Sequence, residues 1–162
     1  MDHSTNGCVE SGSYLSAQQL GETVEALAPA VAVLLQRIAP TEVVSTESGG
    51  TGYRFVLPLS FPDGIGHGTV VARLFRYRDS VRLDVEIVHN RRFAKADGSP
   101  SDRRCYMNDF VASSTIAPDA TELSPDFERS VLRGVLMARD GVRRHNREQA
   151  APWNQVVIAA AE

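Results

Sequence analysis

The sequence predicts an α+β fold: an antiparallel sheet of about four to five strands flanked by an N-terminal and a C-terminal amphipathic helix. Three observations predict it. Apolar residues recur at spacings of three and four from Leu20 to Ile38 and again from Phe127 to Val142, the period of a helix face. Between these stretches apolar residues alternate with polar ones, the period of a half-buried strand. Short turn signals join the alternating runs, and strands joined that way pair antiparallel. At 162 residues the chain is long enough for one core. The expected organisation is a flexible leader over 1–15, a single α+β domain over 16–148 and a C-terminal tail over 149–162.

The leader is rich in Ser, Gly, Asn and Thr and has no period. A helix then starts at Ser16, because Ser16 and Gln19 form an S-x-x-Q capping box. Leu20, Val24, Leu27, Val31, Leu34, Leu35 and Ile38 lie on one face. Pro29 lacks an N–H and clashes with the preceding turn, so a kink or two shorter helices are expected near Ala28. The stripe suits a core-packing helix, and its near-heptad spacing also suits a dimer-forming one.

Residues 47–52 read as a loop with freedom at Gly49 and Gly50. Tyr53, Phe55, Leu57, Leu59 and Phe61 alternate, giving a strand, with Pro58 arguing for an edge or a bulge. Pro62-Asp63-Gly64 is a turn. Thr69 to His89 reads as a hairpin, with arms Thr69–Tyr77 and Val81–His89 around Arg78-Asp79-Ser80. Val81, Leu83, Val85 and Ile87 share one face, and Arg82, Asp84 and Glu86 share the other. Arg73 or Arg76 can then stand opposite Glu86 or Asp84.

Asn90 to Asp102 reads as a long polar loop centred on Asp97-Gly98-Ser99-Pro100, and Arg103 to Val111 as a further strand. Ser124 as N-cap, Pro125 at the first helical position and Asp126 and Glu128 in the first turn start the last helix. Phe127, Val131, Val135, Ala138 and Val142 continue its apolar face, widened by Leu132 and Leu136. Arg139, Arg143, Arg144, His145 and Arg147 are expected at its C-terminal end, where cations oppose the dipole. Gly134 and Gly141 suggest a close backbone crossing. Trp153 and 156–161 are left to dock as a short strand or stay loose.

A net charge of −3 and a pI of about 5.8 give no global positive field for nucleic acid or an anionic membrane. The longest apolar stretch, Ala26 to Leu35, is too short to span a bilayer and contains Pro29. Residues 1–13 contain no signal-peptide core, so a cytoplasmic location is the expectation. Cys8 and Cys105 suit neither a disulfide framework nor a metal site. The cations are sixteen Arg and one Lys, Lys95. That bias fits a GC-rich genome or a need for bidentate contacts to carboxylates or phosphates.

Catalytic motifs are sparse. Gly64-x-Gly66-x-Gly68 joins two strands and is not a phosphate loop. His67 beside Asp63 could act as a general base, but no nucleophile is placed with it. Asp84 and Glu86 share a strand face like paired hydrolase acids, although Arg82 on that face makes a solvated charge ladder. Arg91-Arg92 and Arg103-Arg104, with Phe93 and Tyr106, could line a single-strand groove. A small-ligand or hydrolytic enzyme and a nucleic-acid module are therefore the alternatives to a binding protein. No catalytic residue, cofactor or metal is expected.

The order of elements adds a resemblance. The stripe Leu20 to Ile38, the strands Tyr53–Leu59, Val70–Tyr77 and Val81–Val88, and the helix Ser124 to His145 resemble the small type III secretion chaperones, the Tir-chaperone group. The Arg-rich composition is similar to their general multi-effector members. That family places a short helix between its third and fourth strands, where this chain has the polar loop 90–102. The resemblance implies a non-enzymatic cytoplasmic homodimer that keeps secreted effector polypeptides competent for export. The secretion ATPase or export apparatus is implied as a further partner, and a membrane is not. The effector segment would add to a sheet edge and insert side chains into shallow pockets. The contact residues implied are Val24, Val31 and Leu35 of the first helix and Tyr53, Phe55 and Leu57 of the first strand.

Overall fold

The computed structural model describes residues 16–60, 67–94, 97 and 100–159; side chains are described except at 60, 67, 90–94, 100–109, 142–143 and 145–159. The order is α1 (Ala17–Ile38), β1 (Ser45–Gly49), β2 (Gly52–Ser60), β3 (His67–Tyr77), β4 (Ser80–Ala94), β5 (Pro100–Ile116) and α2 (Pro125–Ala159). The five strands form one antiparallel sheet in chain order, β1-β2-β3-β4-β5. This is the expected α+β fold, with one helix at each end of the sequence.

One face of the sheet is closed by both helices. From α1 come Leu20, Val24, Leu27, Val31, Leu34 and Leu35; from α2 come Val131 and Val135. They meet Phe55, Leu57 and Leu59 of β2, Val70, Ala72 and Leu74 of β3, and Val81, Leu83, Val85 and Ile87 of β4. Each fully buried Leu, Ile or Phe contributes about 1.5–3 kcal/mol. The register keeps these positions on one side: Phe55 faces Ala72, Leu57 faces Val70, Leu74 faces Leu83 and Val70 faces Ile87.

The capping box at α1 is present: Gln19 N donates to Ser16 Oγ (3.2 Å) and Ser16 N donates to Gln19 Oε1 (2.9 Å). The expected break at Pro29 is absent, and α1 runs continuously for 22 residues. Pro29 is exposed. The carbonyl it leaves unpaired, that of Glu25 one turn earlier, lies on an exposed residue, so water can replace the lost bond.

Three other expectations are corrected. Residues 47–52 are not a loop. Ser45–Gly49 pairs with β2 through the two-residue turn Gly50-Thr51. Every residue of β1 is exposed, so it carries no apolar period. The stretch 90–102 is not one polar loop, because β4 runs to Ala94 and β5 begins at Pro100. Last, α2 continues through the expected tail to Ala159. Arg147, Glu148, Gln149, Ala150 and Ala151 are good helix formers and no glycine cap intervenes. The late arginines therefore lie inside the helix, and its last turn holds no basic residue.

The hairpin of β3 and β4 turns at Arg78-Asp79 with Tyr77 facing Ser80, within one residue of the sequence reading. Arg78 takes a positive φ of 56°. Pro58 lies beyond the last β1 partner, since the β1–β2 register stops at Val56. A missing N–H on that side costs no ladder bond. Gly52 is required where it stands, because a Cβ there would run into the Leu74 carbonyl and Phe75 Cα.

Candidate functional site: a recess beside the first strand

The face of the sheet turned away from the helices carries a row of charge across four strands. Arg54 of β2 stands directly opposite Arg73 of β3. Like charges so placed repel, and each is balanced outward. Arg54 Nη1 lies 3.1 Å from Glu47 Oε2 on β1, and Arg73 Nη1 lies 2.7 Å from Glu86 Oε1 on β4. The order Glu47–Arg54–Arg73–Glu86 therefore alternates in sign only at its ends. On β4, Arg82 Nε donates to Asp84 Oδ1 (2.8 Å), which also accepts from Ser113 Oγ (2.5 Å). The Arg82 pKa is raised, chiefly by this bond to Asp84 and then by the charge of Asp84. Asp84 and Glu86 are thus ion-pair partners, each mostly buried beside a more exposed arginine. Val71, on this same face, is only 1% exposed; its register neighbours are Val56 and Glu86.

Aromatic side chains accompany the charges. Phe75 and Tyr77 follow Arg73 on the same face and meet edge to face at 6.3 Å. The guanidinium groups of Arg78 and Arg82 lie 5.4 and 5.7 Å from the Tyr77 ring centroid, within cation–π range.

At the β1–β2 end, this face holds an open recess of about 390 Å³, lined by Glu47, Gly52, Tyr53, Arg54, Arg73 and Phe75 with neighbouring turn residues. Behind the same hairpin a smaller recess of about 150 Å³ separates it from α1, with Val24, Glu25, Tyr53 and Arg76 among its walls. Two side chains fix the hairpin to the helix. Tyr53 Oη donates to Glu25 (2.5 Å). Arg76 donates to the carbonyls of Ala17 (2.9 Å) and Gly50 (3.3 Å). The Tyr53 pKa is raised from 10.0, first by the Glu25 hydrogen bond, then by desolvation and the Glu25 charge. The outer edge of β1 has no strand partner among the described residues, so the recess opens beside free backbone groups.

The structure separates the six residues expected to touch a polypeptide. Val24, Val31, Leu35, Phe55 and Leu57 are buried in the protomer's own core. They pack α1 on the sheet and present almost no surface. Tyr53 alone is half-buried and lines both recesses. Sequence reasoning missed Glu47, Arg54 and Phe75 as members of a site. The signal available was the alternation Arg73-Phe75-Tyr77, which places a charge and two rings on the face opposite Leu74.

The other candidates fall outside the described side chains. The side chain of His67, with Asp63, lies outside the described residues. Arg92 faces Arg104 on neighbouring strands, but the side chains of Arg91, Arg92, Arg103 and Arg104 also lie outside them. No group of His, Cys, Asp or Glu suited to a metal occurs among the described residues, and no helix among them is long and apolar enough to cross a membrane. Comparison with protein-family models, with curated proteins and with solved structures finds no match to this chain; the resemblance to secretion chaperones rests on its order of elements.

Proposed function

We propose that this chain is a non-enzymatic cytoplasmic chaperone or adaptor that holds an extended segment of a secreted effector polypeptide, keeping it competent for a type III secretion system. The observation that carries the reading is the recess beside β1. It joins a strand edge that has no partner among the described residues to a wall bearing Phe75 and two guanidinium groups, with Tyr53 at its border. An extended segment can bond its backbone to Ser45–Gly49 and seat one side chain in the recess, which is strand addition with a specificity pocket. The shallow, open shape suits a chain that must be released again. The element order supports the same reading, and the export apparatus would then be the partner that receives the client.

The test is binding of labelled N-terminal segments of proteins secreted by the native cell, followed by fluorescence anisotropy. Wild-type protein is expected to bind a subset of them. Phe75→Glu and Arg73→Glu are each expected to weaken that binding roughly tenfold or more, as for a central contact residue, with the circular dichroism of the fold unchanged. The reading fails if no segment binds, or if both variants bind as wild type does.

A further inference from the structure

The recess beside β1 joins an apolar floor to a cationic wall, and the strand register explains both. Gly52 stands directly opposite Phe75. It presents no side chain, and none can be added without moving backbone, because a Cβ there would run into the Leu74 carbonyl and Phe75 Cα. The Phe75 ring therefore has no cross-strand side chain beside it from β2, and the space left open is part of the recess.

The next pair on the same face, about 7 Å along the strands, is Arg54 and Arg73. Bonded and non-bonded pairs alternate along an antiparallel ladder, and the side chains of a non-bonded pair stand closer, with Cα atoms about 4.5 Å apart. Arg76 N donates to Thr51 O (2.9 Å), which makes Thr51 and Arg76 a bonded pair. Counting on, Tyr53 and Leu74 form a bonded pair, and Arg54 and Arg73 a non-bonded one. Two like charges thus leave neighbouring strands at the closer of the two spacings. Each guanidinium meets its carboxylate through Nη1, Arg54 with Glu47 and Arg73 with Glu86. A guanidinium carries five N–H donors, so both retain donors for a further acceptor. Across the face the signs run minus, plus, plus, minus, and the two positive ends meet at the recess wall.

We propose that this place takes the carboxylate of a glutamate side chain on the bound polypeptide, its methylenes lying on the Phe75 ring and its oxygens accepting from Arg54 and Arg73. The proposal rests on the reading that the recess binds polypeptide, and not on how that polypeptide bonds to β1. Charge complementarity selects the occupant, because an anion between the two arginines completes the alternation of the row and relieves their repulsion. Guanidinium edges and carboxylates also match in geometry. The four charges of the row sum to zero, so they steer no polyanion from a distance. The preference acts only at contact, on a carboxylate that the rest of the segment delivers.

Calorimetric binding of the extended peptides acetyl-Thr-Val-Thr-X-Thr-Val-Thr-amide, with X as Glu, Gln or Lys, to the full chain tests the proposal. The Glu peptide should bind roughly tenfold more tightly than the Gln peptide, as for a hydrogen bond to a charged group, and the Lys peptide more weakly than either. Arg54→Gln, at an exposed position whose partner Glu47 is also exposed, should abolish the difference between Glu and Gln with unchanged circular dichroism. Equal binding of the Glu and Gln peptides, a preference for Lys, or a Glu preference that survives Arg54→Gln each overturns the inference and leaves the recess reading standing. If none of the three peptides binds, the recess reading is what suffers, and a smaller probe decides the inference. N-acetylglutamate amide at millimolar concentration should move the Nε–Hε signals of Arg54 and Arg73 in the NMR spectrum, and N-acetylglutamine amide should not. Signals that stay in place, or that move alike with both compounds, overturn it.

Discussion

Tyr53 joins the site to the fold. Its hydroxyl donates to Glu25 on α1, on the helix side of the sheet, and the residue borders both recesses. Because the bond needs the phenol proton, the folded pKa lies above the unfolded value of 10.0. A group shifted upward on folding contributes stability that is complete below its unfolded pKa and is lost as pH rises through the folded one. Wild-type protein should therefore lose this contribution above pH 10. Tyr53→Phe should lack that part of the alkaline slope. Urea midpoints of the two proteins measured from pH 8 upward check this: their difference should shrink above pH 10, and a constant difference would refute the assignment. The five buried members of the expected contact set show the limit of apolar pattern as a guide. A hydrophobic period identifies what a chain must hide. It says nothing of what the chain offers to others.

At the scale of elements, α1 tolerates a proline because Pro29 and the carbonyl it orphans lie on the wet side. Replacing it should still help. Proline costs about 3 kcal/mol relative to alanine inside a helix, and about 1 kcal/mol of that is offset because proline also restricts the unfolded chain. Pro29→Ala is expected to stabilise the protein by about 1–2 kcal/mol, read from its denaturant midpoint; a loss of stability would mean that the proline shapes α1 usefully. The elements legible in the sequence are those with one buried face: α1, β2, β3, β4 and the first half of α2 all follow from period, cap or turn chemistry. β1 was illegible because all five of its residues are exposed, so its strand character comes only from pairing with β2. The far ends of β4 and β5 were read as loop because Asp97-Gly98-Ser99-Pro100 is a turn signal in the sequence and the flanking residues are polar, whereas β4 reaches Ala94 and β5 starts at Pro100. For the recess, only Tyr53 could be named, since its other walls come from three strands that meet through the register.

For the whole molecule, the two faces of the sheet have separate duties. The helix side supplies the stability, and the other side carries paired charge, exposed rings and the recess. The two edges differ as well, β1 being five residues long and β5 seventeen. Each strand also pairs only with its neighbours in the chain, through connections as short as Gly50-Thr51 and Arg78-Asp79. That ladder has a kinetic consequence. Sheets that interleave distant segments must close long loops before any contact rewards them, and they fold slowly for that reason. Here the zipper can start at the tight β3–β4 bend and spread outward one neighbour at a time. Stopped-flow refolding should be faster than is usual for sheet proteins of this length, and mutations at Leu74 or Leu83 should slow it more than equally destabilising ones in β5; the reverse ranking would place the nucleus elsewhere. A polypeptide emerging from the ribosome could then assemble most of its architecture before its last helix is made.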